Sequence, residues 1–152
     1  MAKEPQDRDP VAAAVGLLSR RDHSREELKR KLRSRGFVVS DIDKAIERVD
    51  EWGYLNDARF AEGFVRYRSG RGLGPIRLAN ELRERGVSSD LIRQTFAEAE
   101  QDWFALCLEV CERKFGNPVP TDFKARAKVQ RYLAYRGFDM EQIRYALESL
   151  RG

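Results

Sequence analysis

Three glycines, Gly36, Gly86 and Gly137, stand 50 and 51 residues apart, and their surroundings correspond without a gap from eight residues before each to ten after. A period of that size is the mark of a repeat architecture. Eight residues before the glycines stand Leu28, Leu78 and Val129, and four before stand Leu32, Leu82 and Leu133. Phe37, Val87 and Phe138 follow directly; Ile42, Ile92 and Ile143 come six residues later, and Ile46, Phe96 and Leu147 ten later. These intervals of four place one apolar stripe on a helix before the glycine and another on a helix after it.

Each glycine is expected to be the left-handed residue just past a helix C-terminus, with Arg35, Arg85 or Arg136 before it on the negative end of the helix. Ser40 with Asp43, Ser88 or Ser89, and Asp139 with Gln142 supply capping chemistry for the helix that follows. A further helix precedes each pair. In the first repeat it spans residues 11–21 with Val15, Leu17 and Leu18, and Ser24 to Glu27 then reads as a capping box. In the second it starts near Asn56 or Asp57, either of which suits an N-cap, and ends at Gly70; Pro75 opens the next helix. In the third it spans roughly residues 102–115, with Phe104, Leu108, Cys111 and Phe115 as its apolar stripe, and stops at Gly116-Asn117-Pro118. Tyr54, Leu55, Phe60 and Phe64 have the composition of a core between the first two repeats.

The expected fold is therefore all-α: a disordered tail over 1–10, then three tandem three-helix repeats over 11–52, 53–100 and 101–152. Neighbours in such an array stack, which predicts an elongated, curved molecule.

Charged residues make up 36% of the chain, yet 29 Lys and Arg against 25 Asp and Glu leave a net charge of only +4, so attraction to an anion must come from local clustering. Clustering is present. Residues 20–35 carry eight basic side chains and three acidic, 66–77 four arginines and no acid, and 124–136 five basic residues and no acid. Lys124, Lys128, Arg131 and Tyr135 follow helical spacing and form one stripe turned away from Val129 and Leu133. With Arg25, Lys29 and Arg33 of the first repeat, and Arg68, Arg71 and Arg77 around the glycine-rich Ser69–Pro75 linker, they are the candidate partner-binding residues.

Catalytic and metal chemistry finds little support. His23 is the only histidine, the linker lacks the Gly-Lys-Ser or Gly-Lys-Thr of a phosphate loop, and Cys107 and Cys111, four apart on one helix, read as small buried hydrophobes in a reducing compartment. No enzyme, cofactor or metal is expected. No long apolar run or leader-like start occurs, so the expected location is the cytoplasm.

Trp52-Gly-Tyr-Leu-Asn-Asp-Ala-Arg-Phe-Ala61, with Phe64-Val65 and the Gly74–Val87 segment, resembles the signature region of the RecX family of bacterial recombination regulators. The flanks agree: Ser24–Leu32 through Gly36-Phe37 is similar to the family's first repeat, and Arg131–Phe138 to its third. The resemblance implies a nine-helix protein that binds the RecA filament on single-stranded DNA and inhibits recombinase, ATPase and co-protease activities, within DNA repair and the SOS response; a monomer is expected. Direct DNA binding would be weak. Family members commonly place a cation between the glycines of the linker; Arg71 supplies it here, while Leu73 departs from the pattern. The rival class is an autonomous nucleic-acid-binding module, since the second and third helices of each repeat are similar in length and turn to a helix-turn-helix. A general helical adaptor is the third.

Overall fold

A computed structural model describes residues 9–151. Among them are nine helices and no strand: α1 Pro10–Arg20, α2 Arg25–Ser34, α3 Val39–Glu51, α4 Asp57–Gly70, α5 Pro75–Glu84, α6 Ser89–Glu98, α7 Trp103–Phe115, α8 Phe123–Arg136 and α9 Met140–Ser149. Of the tail expected over 1–10, residues 1–8 lie outside the described residues. Pro10 instead opens α1, and Asp9 caps it, its carboxylate accepting from Val11 N.

The three aligned glycines all adopt positive φ, at 93°, 79° and 108°. Each closes a helix in the same way. Gly36 N donates to Arg33 O and Phe37 N to Leu32 O; Gly86 N and Val87 N donate to Arg83 O and Leu82 O, and Gly137 N and Phe138 N to Ala134 O and Leu133 O. This pairing satisfies carbonyls that the helix itself leaves open. The leucine that accepts in each turn is fully buried, so the sequence match at that position is a match of core residues.

Several caps differ from expectation. α3 begins after Val38 with no side-chain cap, and Ser40 and Asp43 lie within it, because the cap place two residues past the glycine holds Val38 where the other repeats have Ser88 and Asp139. Ser24 caps α2, accepting from Glu27 N at 3.0 Å, but Glu27 does not complete the box; both of its oxygens go to Arg21 at 3.0 Å. Asp139 and Gln142 form the full reciprocal box. Asn56 and Asp57 both cap, on different helices: Asn56 Oδ1 accepts from Arg59 N, and Asp57 Oδ1 from Arg25 N at the head of α2. Ser88 rather than Ser89 caps α6. Tyr54 and Phe104 lie at the surface rather than in a core, edge-on to Trp52 and Tyr145, while Leu55 and Phe60 are buried and Phe64 is half-buried.

The helices pack into two compact units, one comprising the described residues up to Gly63 with Leu82–Thr95, the other Phe64–Glu81 with the described residues from Phe96. The second repeat is divided between them. The first unit holds a core of Leu28, Leu32, Ile42, Ile46 and Val49, and the second a core of Val129, Leu133, Phe138, Ile143 and Leu147.

Within each unit, a glycine turn is docked on the first turn of the preceding middle helix. In the first unit, Ser24 Oγ donates to Arg85 O at 2.7 Å, and Arg30 Nη1 donates to Glu84 O at 2.8 Å. In the second unit, Gly74 N donates to Arg136 O at 2.8 Å, Ile76 N to Gly137 O at 3.0 Å and Arg77 Nη1 to Tyr135 O at 3.4 Å. The residue twelve before the glycine, Ser24 or Gly74, thus grips the carbonyl just before the next repeat's glycine. Ser24 serves its own helix and the joint together. Ser24→Ala is expected to lower stability by about 2 kcal/mol, from a lost cap and an unsatisfied carbonyl; urea denaturation reads it, and a change below about 0.5 kcal/mol would contradict this double role.

Candidate partner-binding surface

α8 is positioned by its ends: the Asp122 carboxylate accepts from Ala125 N, and Gly137 terminates the helix. Val129 and Leu133 are buried on one face, and Lys124, Lys128, Arg131 and Tyr135 are all exposed, so the expected stripe is a continuous solvent-facing surface. Tyr135 is 72% exposed, and the Arg77 guanidinium lies 5.2 Å from its ring centre. That stacking holds a flat, cationic, aromatic face open to solvent.

The linker contributes a second pair. Arg71 lies over Tyr67 at 5.8 Å and donates to its hydroxyl at 3.3 Å; Tyr67 is 64% exposed. Arg136 donates to Arg71 O at 2.6 Å and Gly72 O at 3.3 Å, tying this loop to the end of α8. Gly72 supplies the left-handed turn, with φ 83°, whereas Gly74 serves the close approach to Gly137.

Arg68 is occupied differently. Its Nη2 pairs with Glu81 at 2.6 Å, and Arg77 Nε reaches the same carboxylate at 3.5 Å. The second unit therefore brings together Arg68, Arg71, Arg77 and Tyr135 around Glu81 and the linker, with the stripe continuing along α8. Arg25, Lys29 and Arg33 belong to the first unit. There Arg25 pairs with Asp50 at 2.8 Å and Arg33 with Glu26 at 3.5 Å, while Lys29 lies half-buried on α2.

Tyr67, Arg136 and Phe123 were not expected at the surface site. Tyr67 precedes Arg71 by one helical turn, a legible signal. Phe123 is 91% exposed on the first turn of α8, a helix of 14 residues where α2 and α5 have 10. The longer helix is what presents it, and the gap-free match around the glycines does not reach that turn.

Among the described residues no three His, Cys, Asp or Glu side chains gather as a metal site, and no helix is long and apolar enough to cross a membrane. Cys107 and Cys111 are free and fully buried. Burial, reinforced by the neighbouring Cys111, pushes the Cys107 thiol up to about 12, which suppresses the thiolate that nucleophilic chemistry needs.

His23 is buried beside Lys31, whose Nζ lies 3.0 Å from Nε2, while Nδ1 faces Arg21 O at 3.1 Å. An ammonium only donates, so the ring accepts at Nε2 and carries its proton on Nδ1. Burial first, then the charges of Arg21 and Lys31, holds its pKa below the usual 6.5. The unfolded chain therefore binds the extra proton more readily, and stability falls as pH drops below about 6.5, by at most about 1.4 kcal/mol per pH unit from this group. Urea midpoints at several pH values should show this acid-side loss diminished in His23→Gln; an unchanged acid-side slope would contradict it.

Three family models match in chain order: the first three-helix domain of RecX at residues 12–48, the second at 56–95 and the third at 100–147. The chain is 48% identical over 137 residues to the Regulatory protein RecX of Pseudomonas entomophila, covering 88% of each, and 44% identical over 134 residues to that of Vibrio vulnificus, again covering 88% of each. Its fold is similar to the crystal structure of RecX from Lactobacillus salivarius, with a TM-score of 0.77 at 19% identity over 95% of this chain and 96% of that one. A nine-helix frame with its repeats in matching order, supported by close sequence relatives over nearly the whole chain, makes this protein a member of the RecX family of regulatory proteins.

Proposed function

We propose that this chain is a negative modulator of a bacterial RecA recombinase, binding the RecA filament on single-stranded DNA in the cytoplasm and lowering its recombinase, ATPase and co-protease activities. Family membership supports the regulatory role. The observation that carries the binding reading is the exposed stripe of Lys124, Lys128, Arg131 and Tyr135 on a helix with no acid between residues 123 and 136. Arg71 and Arg77, stacked on exposed tyrosines, extend it in the second unit. Arg25, Lys29, Arg33 and Arg68 complete the proposed contact set, the ion pairs of the three arginines opening or reorganising on binding. Clustered cations of this kind speed encounter with an acidic partner and fix its orientation.

The test compares binding to bare single-stranded DNA with binding to the same DNA coated by RecA and a slowly hydrolysed nucleotide, with RecA ATPase followed in parallel under ordinary ATP. Preference for the filament with suppressed ATPase is expected. Tyr67 and Tyr135, exposed and paired with arginines, favour a second reading in which bases stack on these rings without RecA. Equal or tighter binding to bare DNA, steeply weakened by salt and with RecA untouched, would establish that reading instead.

A further inference from the structure

The two internal joints show what a cation on a middle helix holds in this fold. Arg30 and Arg77 each donate to the carbonyl two residues before the next repeat's glycine, at 2.8 and 3.4 Å. Both carbonyls belong to the negative end of a helix. Arg30 stands six residues before its own repeat's glycine and Arg77 nine before its own, places one turn apart on one helix face.

In the third repeat the same two places hold Arg131 and Lys128. Each earlier repeat has one cation there and compensates it: Glu26 lies 3.6 Å from Arg30 in the first, where the other place holds Glu27, and Glu81 lies 3.5 Å from Arg77 in the second. α8 has no acid. Lys128, Arg131 and the adjacent Lys124 are exposed and form no ion pair among the described residues. The third repeat thus carries joint-forming cations in surplus, exposed where the earlier repeats hold a docked turn.

We propose that Lys128 and Arg131, flanked by Lys124, are a docking site for the C-terminal turn of an acidic helix on a partner protein. The carbonyls at the end of that helix take the part played by Glu84 O and Tyr135 O in the joints, and its carboxylates neutralise the surplus charge. The chain's own turn at Gly36 brings no carboxylate to neutralise the site, since Ser34 stands between Arg33 and Arg35 where the Gly86 turn has Glu84. The proposal rests on the reading that the partner is RecA and adds the kind of surface it offers.

The experiment is zero-length carbodiimide coupling of the full chain bound to RecA filaments, with cosedimentation measured in the same samples and the linked peptides identified by mass spectrometry. Coupling joins a lysine amine to a carboxylate in direct contact. A link from Lys128 to an Asp or Glu in the last turn of a RecA helix is expected, and Arg131→Lys should add a second link to the same turn. Cosedimentation without a Lys128 link, or with links only to acids in strands or loops, overturns the docking site and leaves the regulatory function standing. Shielding of Lys128 from acetylation by bare single-stranded DNA as fully as by the filament assigns the stripe to nucleic acid and also overturns it. Absence of cosedimentation removes the function and the docking site together.

Discussion

Gly137→Ala is expected to lower the stability of the protein by about 2 to 5 kcal/mol, while Gly36→Ala, at the corresponding residue of the first repeat, costs only about 1 to 2. Both glycines have positive φ, so both substitutions carry the left-handed backbone penalty. The difference lies in what the new methyl meets. At Gly137 it would stand 2.4 Å from Arg77 Cβ and 2.9 Å from Arg77 N; at Gly36 it meets nothing within 4 Å. Gly74→Ala isolates the packing component, since its backbone is not left-handed, yet its methyl would stand 2.4 Å from Gly137 C and 2.5 Å from Gly137 O. Backbone atoms in a docked turn cannot rotate aside as a side chain would, so Gly74→Ala should also part the linker from the α8 turn. Urea denaturation of the three variants gives the ranking, and amide exchange at Gly74 and Ile76 reports the opened joint. Equal losses at Gly36 and Gly137 would show that backbone conformation alone accounts for the glycines.

On the proposed function, reversing three charges together, Lys124→Glu, Lys128→Glu and Arg131→Glu, should weaken binding to the RecA filament by about a hundredfold or more, through slower association as well as faster dissociation. Each side chain is exposed and makes no ion pair among the described residues, so the folded chain loses little. The thermal midpoint should stay within a few degrees, consistent with surface changes of about 0.5 kcal/mol or less each. Three acids on a formerly acid-free helix repel an acidic partner instead of merely failing to attract it, which makes reversal a stronger test than truncation. Unchanged inhibition of RecA ATPase by a folded triple variant would remove α8 from the binding surface.

Much of the frame was legible because a glycine with a buried leucine four residues before it leaves little choice of local structure. Leu32, Leu82 and Leu133 fix the buried face of three helices, and Gly36, Gly86 and Gly137 fix where those helices stop. Caps were less legible. Ser40 has the chemistry of a cap and sits inside α3, because the helix starts two residues past the glycine, at a place that Val38 fills. Tyr54 and Phe104 read as core since composition cannot say which side of a helix or turn faces a neighbour, and Gly74 read only as part of a glycine-rich linker when its part is a close backbone contact. The α8 stripe could be read from spacing alone. Its stacking with Arg77 could not, because the two residues are 58 apart in the chain and meet only through the docked turn.

The joints have a consequence for how such a chain diversifies. The places two residues before the three glycines hold Ser34, Glu84 and Tyr135, a small hydroxyl, an acid and an aromatic phenol, and the second and third of these are engaged in the joints through their carbonyls. A contact made to the main chain does not register which side chain is attached. Side chains at the rim of each joint are therefore released from the work of assembly, and one repeat can turn cationic and aromatic while its sibling stays charge-balanced, on an unaltered scaffold.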